Sequence, residues 1–331
     1  MTYELKKAEG RLTNIRKVKP ILAALRTISL GSWQMARNRR SGLGAYTERL
    51  LGLLPLLLPH MPVHGRGRAF ARRRRRAKAE ATPQSSGHVV TLVIGSERGL
   101  CGQYNKVILE ELARTLEARK GDGSEVVVVA SGSDAIGEVE IVALGSRLVR
   151  ELTQAGYTLT WGRALSMTSL PTYEVAHELA IEWLARYEAY ELDAVDVVYN
   201  ADEGAGTDGA TTVRLIPPEL PPVPAGTPGG TPEDAGTPAG TPAGTPGDVI
   251  VETDPMRLYV RVVEQWTAIA LYRLLLAAAV TVHSARYQLM ESATQNADDL
   301  VDELMLTVKT GRRHAITQEM QELAVSAGLL E

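Results

Sequence analysis

The chain has 331 residues, a formal net charge of −3 and 44% hydrophobic residues, with a single Phe and only 5% aromatics. That is the composition of a folded chain of one large or two ordinary domains, rich in Leu and Ala and suited to helix packing. The lone cysteine, Cys101, excludes an intrachain disulfide and a cysteine-rich metal site, and its GLCG neighbours supply no base, so it reads as a small buried hydrophobe. The charge is unevenly spread. Residues 1–80 carry 19 Lys and Arg against 4 Glu, a net of +15, while the remaining 17 basic and 35 acidic residues give −18. A basic N-terminal part facing an acidic partner or an anionic surface is expected.

Residues 1–58 read as a helix, with apolar positions at Leu5, Ala8, Leu12, Ile15, Val18, Leu22 and Leu25 in steps of three and four. Pro20 interrupts that stripe, which predicts a kink or break near Lys19–Pro20. Gly31, Gly42 and Gly44 lower helix propensity further. The opening MTYELKKAEGR lacks the uninterrupted apolar run of a secretory signal. Residues 59–87 read as a loop: prolines open it, and ARRRRRAK (Ala71–Lys78) fills its middle with block charge.

Residues 88–216 alternate strand-like and helix-like segments. HVVTLVIG (88–95), EVVVVAS (125–131) and DAVDVVYN (193–200) are β-branched runs of buried-strand length, and TTVRLI (211–216) is a further strand candidate. Amphipathic helices are expected at 105–119 and 172–190, so the segment predicts an α/β unit with a mainly parallel sheet. Residues 217–255 are expected to hold a Pro/Gly/Thr-rich insertion of AGTP-like repeats without an apolar face, and a return strand. Residues 256–331 read as one long helix. Its seam runs through Leu258, Val262, Trp266, Ile269, Tyr272, Leu276, Val280, His283, Tyr287, Met290, Thr294, Ala297, Val301, Leu304 and Val308, mostly in alternating steps of three and four. Within it, Ile269–Val282 is broken by Arg273 and is expected to fall short of the roughly 20 apolar residues of a membrane span; Leu50–Leu58 is shorter and carries Pro55. The predicted fold is α/β plus a long coiled coil: an antiparallel pair of terminal helices with an inserted Rossmann-like α/β domain.

Chemical motifs are scarce. The turn GSERGLCGQYN (Gly95–Asn105) follows a strand and opens a helix, where glycine-rich turns can cradle phosphate, but it fits neither G-x-G-x-x-G nor the P-loop with its lysine. It reads as a structural strand-to-helix turn. The six histidines show no metal-ligand spacing, and Glu178 and Glu182 read as a solvated face; no catalytic motif and no cofactor are expected. The tract Arg72, Arg73, Arg74, Arg75 and Arg76 suits nonspecific contact with nucleic acid or anionic lipid, since interleaved aromatics are missing apart from Phe70.

Two stretches are similar to one known family. SERGLCG (Ser96–Gly102) with Asn105 resembles a dense motif of the gamma subunit of rotary ATP synthases. The end of the chain resembles that family at Met290, Ala293–Thr294, Asn296–Ala297, Asp302–Leu304 and AITQE (Ala315–Glu319). VVYN (Val197–Asn200), Arg214–Pro217 and LYRLL (Leu271–Leu275) continue the likeness across nearly the whole chain. The resemblance implies a non-catalytic rotor shaft at the cytoplasmic face of a bacterial plasma membrane. Its C-terminal helix would enter a ring of alternating alpha and beta subunits and drive the beta sites, with the epsilon subunit and the membrane ring of c subunits as further partners. Arg312, Thr317 and Glu319 match family positions that contact the beta subunits, and Gln318 lies in the same motif. Arg313 stands where the family has Gln. Family topology brings the Arg72–Arg76 loop near acidic rotor loops or lipid headgroups. The segment VKPILAAL (Val18–Leu25), the arginine tract and the insertion depart from the family pattern. The alternative reading is a coiled-coil protein binding nucleic acid through its basic N-terminal third; a third is a nucleotide enzyme on the α/β unit.

Overall fold

A computed structural model describes residues 2–57, 87–120, 127–128, 138–165, 170–201, 209–217 and 252–326. The arginine tract, the basic loop and most of the AGTP insertion lie outside these residues. In chain order the elements are helix α1 (Thr2–Leu57), strand β1 (Val89–Ile94), α2 (Tyr104–Lys120), β2 (Val127–Val128), β3 (Glu138–Leu144), α3 (Ser146–Gln154), β4 (Trp161–Arg163), α4 (Tyr173–Glu188), β5 (Ala194–Ala201), β6 (Gly209–Ile216) and α5 (Pro255–Ser326).

Two compact units divide the chain. The first comprises Met1–Gln34, Gly99–Gly102 and Val282–Glu331. Here α1 and α5 run antiparallel: as residue numbers rise along α1, those of its partners on α5 fall. The glycine at Gly311 faces Leu5, Arg16 donates to the Met305 sulfur at 3.2 Å, Lys19 pairs with Asp298, and Arg26 with Glu291 at 2.9 Å. Trp33 stacks on Tyr287 with ring centroids 6.1 Å apart. Ala8, Leu12, Met290, Ala297 and Val308 are buried along this seam. No seam position from Leu258 to Val308 is exposed, whereas Leu289, Leu300 and Leu306, off the seam, are. The three-four spacing therefore marks the face that meets protein.

Of the kink or break predicted near Lys19–Pro20, the break does not occur; α1 runs through it as one helix. Proline removes the bond to the carbonyl four residues back, that of Arg16. Pro20 and Arg16 are both exposed, so water can satisfy that carbonyl, and packing on both sides holds the helix through the defect.

The second unit comprises Met35–Arg98 and Gln103–Thr281. Leu50, Leu54 and Leu57 of α1 pack with Val262 and Ile269 of α5. The sheet has the order β2-β3-β1-β5-β6, with β4 also paired to β3. All pairs are parallel except β5 with β6. Val89 lies opposite Val139 on one side and Ala194 on the other, so β1 is central. Leu92, Ile94, Ile108, Leu112, Ile141, Leu148 and Trp183 fill the core around the sheet. Between Val262 and Thr281, α5 is buried over much of its circumference. Contrary to the sequence expectation, α5 is long and apolar enough by composition to cross a membrane, but 61% of that window is buried against protein, as in a core helix.

Three elements went unpredicted: β3, α3 and β4. The strand expected over 125–131 is represented among the described residues by Val127–Val128 alone. The missed β3 sits beside the central strand and carries Glu138 and Glu140, which break the apolar run expected of a buried parallel strand. Glu140 is buried, and its carboxylate takes a two-pronged contact from Arg186 of α4, at 2.6 and 3.2 Å. A charge is tolerated there because its partner arrives in fork geometry.

Candidate functional site

The end of α5 is the place to which the residues singled out from sequence were assigned. Arg312 is 65% exposed and donates through Nε and Nη2 to a single oxygen of Glu9 on α1, at 3.1 and 2.7 Å. Thr317 is turned back on its own helix, its hydroxyl donating to the Arg313 carbonyl at 2.9 Å. Gln318 donates to Glu322 one turn on, at 2.9 Å. Arg313 and Glu319 are exposed. At about 100° per residue, Arg312 and Glu319 share one face, Arg313 and Thr317 a second, and Gln318 a third. The five do not converge on a pocket. They ring the helix, which suits a rod contacted from several sides.

Next to them lies a feature the sequence reading passed over. Ile316, Met320, Leu323 and Val325 are each more than half exposed. The first three are spaced by four and three residues, so they form one apolar face. The contacts between α1 and α5 reach Leu5 with Gly311, and a groove of about 510 Å³ runs between the two helices there, from Glu4 to Arg11 on α1 and from Glu303 to Ala315 on α5. The signal was present in ITQEMQEL, where apolar residues recur at helical spacing after the seam ends.

Gly95–Arg98, which open the SERGLCG turn, follow directly on β1 at the carboxyl edge of the parallel strands. An open α/β sheet holds ligands there, where neighbouring connections diverge to opposite sides. In this chain the edge is stitched shut. Gly95 N–H donates to Leu144 O and Gly145 N–H to Arg163 O, both at 2.9 Å, and Leu148 N–H reaches Ser96 O at 3.3 Å. Gly145 has φ 112°, and a Cβ on it would lie 2.7 Å from Gly95 O, so the two turns touch backbone to backbone. Where a phosphate would meet a helix N-terminus, the Glu97 carboxylate accepts from Ser146 N–H at 2.9 Å, Ser146 Oγ–H at 2.7 Å and Leu165 N–H at 2.8 Å. Burial pushes this carboxyl up, but the bonds from Ser146 and Leu165, aided by the charge of Arg98, outweigh it and hold Glu97 below its ordinary value. The protein's own anion occupies the helix end. Asn105, the last residue of the motif, accepts Ser96 N–H at 3.0 Å and ties the turn to α2. Cys101 is buried. Among the described residues no group of three or more His, Cys, Asp or Glu is placed to hold a metal ion.

One unit is an antiparallel pair of terminal helices with an exposed apolar tip, and the other is an α/β domain inserted between those helices in sequence. Residues 4–329 match the family model described as ATP synthase, and the chain belongs to that family. Its curated relatives within the family are gamma chains. The chain is 24% identical to the ATP synthase gamma chain of Parabacteroides distasonis over 326 residues, covering 98% of each. It is 28% identical to that of Granulibacter bethesdensis over 329 residues, covering 98% of this chain and 99% of the relative. Among solved structures, a chain of the Euglena gracilis mitochondrial ATP synthase OSCP/F1/c-ring assembly superposes with a TM-score of 0.55 at 13% identity, covering 99% of this chain and 95% of that one. A chain from the rotor of the same enzyme gives 0.51 at 14% identity, covering 96% and 100%. At such identities the likeness is one of fold.

Proposed function

We propose that this chain is the central rotor shaft of an ATP synthase, a subunit that transmits torque and performs no chemistry itself. Ion-driven rotation of a membrane ring would turn it, and its C-terminal helix would force the beta-subunit sites through different nucleotide affinities. The observation that carries this reading is the tip of α5: the exposed apolar face of Ile316, Met320 and Leu323, with Thr317, Gln318 and Glu319 around it, past the last described contacts with α1 at Gly311 and Arg312. A surface of this kind is stable in water only at a cost, and a stator that encloses it removes that cost. Alpha and beta subunits are the stator in this reading, with epsilon and the c-subunit ring at the opposite end, and the chain is peripheral to the cytoplasmic face of the membrane.

Arg312 is the proposed principal stator contact, with Arg313, Thr317, Gln318 and Glu319 around it. Its exposed pair with Glu9 is worth about 0.2–1 kcal/mol. A stator carboxylate can therefore capture Arg312 at little cost, and a charge-assisted bond in a drier surrounding is stronger. The tract Arg72–Arg76 is proposed to meet acidic rotor loops or lipid headgroups. Reconstitution with alpha and beta subunits tests the reading: an assembly with ATPase activity is expected, and deletion of residues 312–331 should collapse that activity. A chain that never co-purifies with those subunits contradicts it.

A further inference from the structure

Two buried hydroxyls join three elements of the second unit. Tyr104, the first residue of α2, and Thr281 on α5 are 4% and 2% exposed. The Tyr104 hydroxyl donates to the Ala278 carbonyl of α5 at 3.1 Å and lies 3.3 Å from Thr281 Oγ1. Thr281 Oγ1 lies 3.0 Å from the carbonyl of Asn200 near the end of β5, and 3.2 and 3.0 Å from those of Ala277 and Ala278 in its own helix. Each hydroxyl has one proton to give. The helical carbonyls are within reach of ordinary backbone donors, so the bond from Thr281 to Asn200 is the one that adds a link between elements. The result is a connected path from α2 through α5 to β5.

We propose that Tyr104 and Thr281 are positioning residues that fix the sheet domain to α5 against twist about the helix axis. The inference rests on the rotor reading and adds to it the joint through which torque passes between domain and helix. Ala277, Ala278 and Ala279 present only methyl groups at this turn, between the buried Leu276 and Val280, so the two hydroxyls add directional contacts to the apolar packing. Hydrogen bonds are directional. Turning α5 by about 20° moves atoms at roughly 3 Å from its axis by about 1 Å, which is enough to carry bonds of this length out of range. The site is buried, so no water replaces a broken bond, and the restoring force is retained. Thr281 is also the last residue of α5 in the second unit.

The test uses the chain assembled with immobilised alpha and beta subunits, with a probe on the sheet domain and rotation stalled. The width of the probe's angular distribution reports torsional compliance; thermal unfolding is measured in parallel. Thr281→Val and Tyr104→Phe are expected to widen the distribution, whereas Thr281→Ser, which keeps the hydroxyl, should match wild type. Should Thr281→Val fail to fold, Tyr104→Phe, which removes a single oxygen, decides the matter. Unchanged widths in the Val and Phe variants, or a Ser variant as loose as Val, overturn the inference even if the unfolding temperature falls. A wild-type chain that does not assemble overturns the rotor reading as well, and that outcome is seen before any variant is compared.

Discussion

Replacing Gly31, Gly42 and Gly52 together by alanine should stabilise α1 rather than disturb it. All three lie inside the helix, and a Cβ built on any of them meets nothing within 4 Å. None has the positive φ that would strain an alanine. Each substitution removes backbone freedom from the unfolded chain and contributes about 0.4–1 kcal/mol. Sites ten or eleven residues apart on a helix are separated by about 15 Å, so the effects should add to about 1–3 kcal/mol. Thermal unfolding followed by the helical circular dichroism signal should shift upward by roughly 1–4 °C. A lower unfolding temperature would refute the reasoning, because it would mean that these positions face packed atoms. The same triple variant in the assembled complex carries a second reading. Normal ATPase activity is expected if the three positions stay open there, and lost activity with raised stability would place the stator against these glycines.

Two further outcomes follow from buried charge. Arg186→Met leaves the Glu140 carboxylate buried without its partner, and should cost about 3 kcal/mol in urea unfolding; adding Glu140→Leu should recover most of it, and a Met variant of wild-type stability would contradict the buried pair. His283 is held down to about 4 by burial and by the charge of Arg286, against an ordinary value of 6.5. The unfolded chain then binds a proton that the folded chain refuses, so the contribution is fully present above pH 6.5 and is lost as pH falls toward 4. Measured against His283→Gln, wild type should lose about 2–3 kcal/mol over that window; parallel stability curves for the two would contradict it.

Long-range helix pairing was legible because one physical constraint acts over the whole length of α5. A seam in steps of three and four must face protein, and from Leu258 to Val308 it does. Local defects were harder to judge. The proline rule predicts a break at Pro20, but that rule assumes an unsatisfied carbonyl, and exposure supplies water instead. Strand β3 was hidden because Glu138 and Glu140 look solvent-facing. What permits Glu140 is Arg186, 46 residues away, and a single sequence does not announce such a partner. The same holds at the tip: Arg312 stood out in the chain, but its partner Glu9 is 303 residues distant. The closed crevice was half visible, since SERGLCG lacked the lysine and glycine spacing of a phosphate loop. That Glu97 itself fills the helix end depended on α3, an element that had not been anticipated.

The most direct test is to watch the chain turn. With alpha and beta subunits fixed to a surface and a probe attached to the exposed side of α3, ATP should drive continuous rotation of the probe in one direction. An assembly that hydrolyses ATP while the probe stays fixed, or moves only by thermal jitter, would contradict the proposal that this chain is the shaft.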